Sequence, residues 1–150
     1  MRVVIGLGSN LGDRAATLRA AVAKLRDVAP VEKISKVYET APIGPEQPDY
    51  LNAAVLVEWS KPLADLLPEL LSIEKEMGRV RRERWQARTI DLDILWTDGA
   101  PVRQPDLTVP HARLHERAFA VLPLLDVAPD APYDATKIAG QRIEASHEAL

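Results

Sequence analysis

Two aspartates on one short strand are the residues in this chain whose types and spacing best fit metal chemistry. Asp91 and Asp93 lie two positions apart in an otherwise apolar stretch, so in a β-strand both side chains point to the same face. Aspartate is uncommon in strands, whereas Mg²⁺ binds one or two protein carboxylates and completes its coordination with water and substrate phosphates. We therefore predict that Asp91 and Asp93 bind magnesium; a strand with one solvated face is the alternative interpretation.

The segment around these aspartates is rich in arginine and contains no lysine. Eight of the 13 arginines lie between residues 79 and 117, and no lysine lies between Lys75 and Lys137. A solvated surface accepts either residue, but the planar guanidinium binds phosphate or carboxylate through two parallel hydrogen bonds. The composition therefore favours planar recognition of phosphate or carboxylate by arginines of this segment. Its arginines are Arg79, Arg81, Arg82, Arg84, Arg88, Arg103, Arg113 and Arg117.

The overall composition limits the class of protein. The net charge is −3 and the isoelectric point is about 5.6, which argues against general nucleic-acid binding. The chain has no cysteine, which excludes disulfides and thiolate metal sites. No apolar stretch reaches the roughly 18 residues of a membrane-spanning helix, and the N-terminus does not resemble a signal peptide. We expect a single domain over residues 1–150, located in the cytoplasm.

The spacing of apolar and turn-forming residues predicts an α+β fold. The order of elements is β-α-β-β-α-β, which is typical of ferredoxin-like folds with helices packed on an antiparallel sheet; a C-terminal extension follows. Pro68 should kink the second helix or displace its start. The predicted elements are a strand at 3–7, a helix that ends at Pro30, a weak strand at 33–39, a strand at 51–59, a helix that ends at Gly78 and a strand at 90–96.

Three glycines after the first strand imitate a dinucleotide-binding pattern. Gly6, Gly8 and Gly12 resemble GxGxxG, but the third glycine comes one residue late. No acidic residue closes a second strand at the distance that this motif requires. We therefore interpret residues 6–12 as a turn into the first helix and not as a nucleotide site.

Two polar residues interrupt patterns that are otherwise apolar. Asn52 lies in the strand at 51–59, where a buried amide could bind the donors and acceptors of a heterocycle; an asparagine satisfied at a strand end is the alternative. Glu74 lies on the apolar face of the second helix, where a carboxylate is costly unless it has a partner. It either fixes an arginine or orients a binding group, or it reaches water at the helix end.

Taken together, five motifs in order along the chain closely resemble the 6-hydroxymethyl-7,8-dihydropterin pyrophosphokinase family. The resemblance implies a transfer of the terminal pyrophosphate of ATP to the hydroxymethyl group of the pterin, with release of AMP, in folate biosynthesis. The motifs are Gly8-Ser9-Asn10-Leu11-Gly12, Tyr50-Leu51-Asn52-Ala53-Ala54, Gly78-Arg79-x-Arg81-x-x-Arg84-Trp85, Arg88-Thr89-Ile90-Asp91-Leu92-Asp93-Ile94 and Val109-Pro110-His111.

The resemblance also implies roles for individual residues. Arg79 and Arg88 would stabilise the transferring group, and Asp91 and Asp93 would bind two Mg²⁺ ions. ATP and its phosphates would be bound by Glu74, Arg81, Arg84, Ile94, Thr108, His111 and Arg117. The pterin would be bound by Thr40, Pro42, Ile43, Tyr50, Asn52, Trp85 and Phe119, with its ring between the two aromatic side chains Tyr50 and Phe119.

Two other functions fit parts of the pattern. A nucleotidyl transferase that uses Asp91 and Asp93 would act on ATP without depending on a pterin. A ferredoxin-like binding module without catalysis would bind a small anion and need no Mg²⁺; the aspartate pair argues against it, because added carboxylates weaken anion binding. We expect a monomer that acts on ATP and the dihydropterin, with neither a nucleic acid nor a membrane as partner.

Overall fold

A six-stranded antiparallel sheet forms the centre of the computed structural model, which describes residues 1–41, 48–78, 90–137 and 143–150. The helices and strands, in chain order, are β1 (Arg2–Ser9), α1 (Arg14–Val28), β2 (Val31–Ile34), β3 (Tyr38–Thr40), β4 (Tyr50–Glu58), α2 (Leu66–Glu76), β5 (Asp91–Thr97), β6 (Val102–Gln104), β7 (Leu107–Val109), α3 (Ala118–Val127) and β8 (Ile143–Ala145).

The strand order is that of a ferredoxin-like sheet. The strands lie in the order β5-β1-β4-β3-β8, and β2 also pairs with β4. Each pair is antiparallel. Together β2 and β3 occupy the place of the single weak strand expected at 33–39. The predicted ferredoxin-like α+β class is confirmed.

Ser35 bridges the break between β2 and β3. Its backbone N–H donates to the Ala54 carbonyl at 2.9 Å, and its hydroxyl accepts from the Ala54 N–H at 2.8 Å. The side chain thus supplies a hydrogen bond that a regular strand would make with its backbone. The chain can therefore bend here while it remains attached to β4.

Helices cover both faces of the sheet. Alternate residues of β1 point to opposite faces: Val3, Ile5 and Leu7 pack in the core under α1 and α2, whereas Val4 packs under α3. The Asp13 side chain caps α1 by accepting from Ala16 N–H at 3.1 Å. The apolar stripe predicted for this helix is buried, with Leu18, Ala21, Val22 and Leu25 inside.

Pro68 displaces the start of α2, which is one of the two outcomes predicted from the sequence. A short 3-10 turn at Leu63–Asp65 precedes the helix, and Pro68 lies in its first turn. Backbone N–H groups in a first turn have no helical acceptor, so proline is tolerated there. The helix then runs without interruption to Glu76 and packs against β5.

Two further features of the sheet are an irregularity in the pairing of β5 and the position of the last strand. A register shift between β1 and β5 places both Leu95 and Trp96 on the α3 side. The last strand, β8, pairs with β3. Among the described residues, no helix is long and apolar enough to cross a membrane.

Candidate active site

The floor of the candidate site is a strip of β1 that carries no side chains. In the sheet register, Gly6 lies opposite Asp93, and Gly8 lies between Asp91 on β5 and Asn52 on β4. Asp91 is half-buried and Asp93 is exposed. The two carboxylates and the amide therefore project from the same face of the sheet, on either side of a bare strip of backbone.

The turn predicted at Gly6 and Gly8 is wrong, because β1 continues to Ser9 and both glycines are strand residues. A Cβ atom built on Gly8 would lie 2.8 Å from Asn52 Oδ1, and one on Gly6 would lie 2.9 Å from Leu95 Cδ1. Both distances are shorter than any ordinary contact between such atoms. Glycine at these positions keeps the floor open. This feature was not predicted from the sequence; the spacing of two glycines on one strand face is the signal that could have indicated it.

An open cavity of about 260 Å³ lies above this floor. It occupies the part of the sheet face that α3 leaves uncovered, since the α3 core covers the opposite end of the same face. Its lining combines carboxylates, an amide, a hydroxyl, a guanidinium and two aromatic rings. The lining residues are Gly6, Leu7, Gly8, Thr40, Ala41, Tyr50, Asn52, Ala53, Asp91, Asp93, Leu95, Arg117, Phe119 and Ala120.

Asn52 and Thr40 form the polar side of the cavity on β4 and β3. The Asn52 amide nitrogen donates to the Thr40 hydroxyl at 2.6 Å, and both residues are buried. This bond fixes the amide so that Oδ1 lies towards Gly8. An oriented carbonyl oxygen at the cavity floor is an acceptor for a ligand N–H. The alternative of an asparagine at a strand end does not apply, because β4 begins two residues earlier, at Tyr50.

Two aromatic rings enter the cavity from different elements. Tyr50 is the first residue of β4, and Phe119 lies at the start of α3. Both are half-buried. The Arg117 guanidinium, just before α3, lies 5.8 Å from the centroid of the Phe119 ring, within range of a cation–π contact. The structure thus brings to one cavity the two rings that were expected to enclose a flat heterocycle.

Glu74 contacts the strand that carries the two aspartates. It is 3% exposed, and its Oε2 accepts from the backbone N–H of Leu92 at 3.0 Å. Leu92 lies between Asp91 and Asp93, with its own side chain on the opposite face. Its burial excludes the interpretation that Glu74 reaches water; the side chain instead orients the edge of β5.

His111 lies at the outer edge of β5, near Asp93. Its backbone N–H donates to the Leu95 carbonyl at 3.0 Å, directly after a cis Val109–Pro110 bond. The pKa of His111 is lowered from its usual value because burial disfavours the imidazolium; Asp93 raises this pKa and Arg117 lowers it. A lowered pKa leaves the ring neutral at pH 7, so one ring nitrogen can donate and the other can accept.

Other predicted site residues lie away from the cavity or outside the described ranges. Ile94 is buried in the core under α1 and α2, so only its backbone could meet a ligand, and Thr108 is exposed on β7. The residues that lie outside the described ranges are Pro42, Ile43, Arg79, Arg81, Arg84, Trp85 and Arg88.

The donor set at the aspartates suits a hard cation. Asp91 and Asp93 supply two carboxylates that face one cavity. Within the described part of the chain, no cluster of three or more histidine, cysteine, aspartate or glutamate side chains forms a metal site. Two carboxylates are sufficient for Mg²⁺, which usually retains several waters and binds substrate phosphate oxygens. The pair therefore fits Mg²⁺ delivered with a phosphorylated substrate.

Comparisons with a family model and with individual known proteins indicate the same family. The model of the family described as 7,8-dihydro-6-hydroxymethylpterin-pyrophosphokinase matches residues 4–129. A protein of Bacillus subtilis (strain 168) named 2-amino-4-hydroxy-6-hydroxymethyldihydropteridine pyrophosphokinase is 44% identical over 135 residues, which are 88% of this chain and 81% of the relative. The same name is carried by a Haemophilus influenzae protein, 36% identical over 97% of this chain and 94% of the relative.

Other relatives are longer than this chain. The matching protein of Synechocystis is 41% identical over 85% of this chain, and the match spans 66% of that relative's length. A crystal structure of HPPK-DHPS in complex with substrates superposes with a TM-score of 0.67 over 92% of this chain and 44% of the other, at 13% identity. A Plasmodium falciparum HPPK-DHPS structure gives 0.62 over 92% and 42%, at 15% identity. The chain thus spans less than half the length of these structures, and the likeness to them is one of fold.

Proposed function

The chain belongs to the 7,8-dihydro-6-hydroxymethylpterin-pyrophosphokinase family, and we propose that it carries out the reaction of that family. ATP transfers its terminal pyrophosphate to the hydroxymethyl group of 6-hydroxymethyl-7,8-dihydropterin, and AMP leaves. The protein is then a transferase of folate biosynthesis, and the resemblance in its motifs is confirmed at the level of the family. The family uses ATP and Mg²⁺.

One observation carries the proposal: a single cavity has two carboxylates on one side and an amide with an aromatic ring on the other. Asp91 and Asp93 border the glycine floor on one side, and Asn52 and Tyr50 border it on the other, across one strand. Neighbouring strands lie about 5 Å apart, so a ring held over β4 can place a substituent close to the aspartates. This arrangement fits a pyrophosphoryl acceptor attached to a flat ring.

The ring-binding side would hold the pterin through its faces and its edge. Tyr50 and Phe119 offer aromatic faces, and Asn52 Oδ1, fixed by Thr40, accepts from a ring N–H or amino group. Pro42, Ile43 and Trp85 are proposed to complete this side.

The phosphate side would neutralise and orient the triphosphate. Asp91 and Asp93 are proposed to hold two Mg²⁺ ions, which when bound neutralise charge on the phosphate oxygens. Arg117 lines the cavity with the aspartates, and His111 lies near Asp93; both are proposed as donors to phosphate. Arg79 and Arg88 are proposed to stabilise the migrating group. Contacts with ATP are proposed for Glu74, Arg81, Arg84, Ile94 and Thr108.

For the transfer itself, the protein must align the two substrates and stabilise the charge on the phosphates. The hydroxymethyl oxygen forms a bond to the β-phosphorus, the bond from that phosphorus to the α–β bridging oxygen breaks, and the hydroxyl proton is released as AMP departs. Such a substitution depends mainly on alignment and electrostatic stabilisation. We propose that the cavity would provide both: the bare floor would leave room to align the acceptor, and the charged lining residues Asp91, Asp93 and Arg117 would lie near the phosphates.

We also propose that residues 1–150 form a single domain that acts as a monomer in the cytoplasm. The family match covers residues 4–129, and the terminal strand β8 belongs to the same sheet through its pairing with β3. No nucleic acid or membrane is proposed as a partner.

The test measures the products formed from ATP, Mg²⁺ and the hydroxymethyl dihydropterin. We expect pterin-dependent AMP, and a decrease of about a hundredfold or more in turnover for Asp91→Asn and Asp93→Asn, because each loses a charge at the phosphates. Asp27→Asn, an exposed change on α1, is the matched control and should retain full turnover. Release of inorganic pyrophosphate without AMP would instead indicate a nucleotidyl transferase, and wild-type turnover in both aspartate variants would refute the metal assignment.

A further inference from the structure

Arg14 joins two segments that carry cavity residues. It is the first residue of α1. Its Nη1 donates to the backbone carbonyl of Asp49 at 2.9 Å, and its Nη2 donates to Glu39 Oε1 at 2.9 Å. Asp49 directly precedes Tyr50, and Glu39 directly precedes Thr40. One guanidinium therefore holds the neighbour of each of these two cavity residues.

Arg14 acts from the face of the sheet opposite the cavity. Thr40 and Tyr50 face each other in the register of β3 and β4, and both line the cavity. Glu39 alternates with Thr40 and so points to the α1 side. Arg14 does not line the cavity. Its effect on a ligand must therefore pass through the backbone of β3 and β4.

The pair that Arg14 holds lies at the end of a short ladder. β3 pairs with β4 over three residues, and Thr40–Tyr50 is the last pair of this ladder. Terminal pairs open more readily than internal ones because fewer neighbouring contacts resist the opening. A second contact supports the same segment: the Asn10 amide donates to the Pro48 carbonyl at 3.3 Å. The start of α1 and the turn before it thus bind the two residues that precede β4, Pro48 and Asp49.

We propose that Arg14 is a positioning residue for the pterin, a role that rests on the proposed function. By holding Glu39 and the Asp49 carbonyl together, it sets the separation of Thr40 and Tyr50 and, through Thr40, the orientation of Asn52. Arginine is required because its planar fork reaches two acceptors at once, whereas a lysine ammonium is a point charge on a flexible stem.

The contribution of Arg14 to global stability should be small. Its side chain is 29% exposed and that of Glu39 is 34% exposed, and partly exposed ion pairs are weakened by solvent. Loss of the fork should therefore change ligand binding more than the free energy of unfolding. A change in ligand binding without a comparable change in the free energy of unfolding therefore distinguishes a positioning role from a structural one.

The chain contains a matched control on the same helix. Arg19 Nε donates to the Ala149 carbonyl at 3.0 Å, and its Nη2 donates to Glu148 at 2.8 Å. It thus makes the same kind of contact, one carbonyl and one carboxylate, but with residues that follow β8 and do not line the cavity. Arg19→Lys removes an equivalent fork without touching β3 or β4.

The experiment compares steady-state kinetics of Arg14→Lys, Glu39→Gln and Arg19→Lys. We expect Arg14→Lys to raise KM for the dihydropterin about five- to tenfold, which is equivalent to the loss of one hydrogen bond of typical net strength. KM for MgATP and kcat should change less than about twofold, and Tm should match that of Arg19→Lys. Glu39→Gln should raise the same KM in the same direction, and Arg19→Lys should behave as wild type.

Two results would overturn the proposal. One is an unchanged KM for the dihydropterin in Arg14→Lys; the other is an equal loss for both substrates together with a lower Tm, which would make Arg14 a general stabiliser. Failure of the proposed function is distinct, since wild-type protein would then form no AMP with the dihydropterin. In that case amide hydrogen exchange at Thr40 and Tyr50 still tests whether Arg14 holds the ends of β3 and β4 together. Unchanged exchange in Arg14→Lys would refute this role.

Discussion

At the scale of single residues, the open floor at Gly8 depends on the absence of one carbon atom. A Cβ at this position would lie 2.8 Å from Asn52 Oδ1 and 3.5 Å from Tyr50 Cδ1. We expect Gly8→Ala to turn the Asn52 amide away from its 2.6 Å bond with Thr40. KM for the dihydropterin should increase about tenfold, the equivalent of one lost polar contact, while KM for MgATP stays close to wild type. Steady-state kinetics with each substrate varied in turn would measure both.

Gly6→Ala is the control for this change. Its Cβ would lie 2.9 Å from the Leu95 side chain, which belongs to the core under α3. Overpacking of a core costs about 1–3 kcal/mol, so this variant should lose thermal stability and should weaken affinity for the dihydropterin less than Gly8→Ala does. Equal effects of the two variants on that affinity would show that the amide of Asn52 is not what Gly8 protects.

Residue types alone predicted one part of the site and not another. The alternation of Asp91 and Asp93 along a strand placed both carboxylates on the cavity side, as the register of β5 requires. The glycines were interpreted as a turn because glycine permits turns, although in β1 they are strand residues. Local preference cannot distinguish these cases; the strand continues because β4 and β5 pair with it on both sides.

At the scale of elements, the outer edge of β5 is held by groups from outside the sheet. Glu74 of α2 accepts from the Leu92 N–H, and the His111 N–H donates to the Leu95 carbonyl. An edge strand has backbone groups without a strand partner, and these contacts satisfy two of them. The strand that carries both aspartates is thereby fixed in position.

Glu74→Leu should disturb this strand more than Glu74→Gln. Leucine fills the buried space but leaves the Leu92 N–H without this acceptor, at a cost of about 1–3 kcal/mol, whereas glutamine retains a side-chain oxygen. We expect faster amide exchange at Leu92 and a higher Mg²⁺ requirement for turnover in Glu74→Leu, with partial recovery in Glu74→Gln, since outer groups orient metal ligands.

The control for Glu74 lies on the same helix. Glu69 is exposed in the first turn of α2. Glu69→Leu therefore makes the same change in charge and volume as Glu74→Leu, but at a solvent-exposed position. It should leave exchange and Mg²⁺ dependence as in wild type. If Glu74→Leu gives wild-type exchange at Leu92, β5 is held by other contacts.

The elements themselves were predictable where their pattern was long. The apolar periodicity of α1 and the apolar pattern of β4, which Asn52 interrupts, correspond to elements of 15 and 9 residues. The short hairpin of β6 and β7 and the break at Ser35 were not predicted, because three or four residues carry too little periodicity. Burial of Glu74 likewise depends on how α2 packs against β5, a tertiary contact.

At the scale of the whole molecule, stability and function lie largely on different parts of the sheet. Apolar side chains under α1 and α2 form one core, and those under α3 form a second that ends where the cavity begins. The charged residues of the site surround the open end. The fold should therefore form without metal or nucleotide, and bound ligand should add to its stability.

Thermal unfolding with and without Mg²⁺ tests this division. Because the cores are apolar, chelation by EDTA should leave Tm unchanged in the absence of nucleotide. A non-hydrolysable ATP analogue at 100 times its Kd should add about 2.7 kcal/mol, and each kcal/mol shifts Tm by about 2–4 °C in a chain of this size. That increase of several degrees should require Mg²⁺ and be lost in Asp93→Asn, while Asp27→Asn retains it. A decrease in Tm on chelation without nucleotide would indicate a structural metal, and a full increase without Mg²⁺ would show that nucleotide binding does not depend on the aspartate pair.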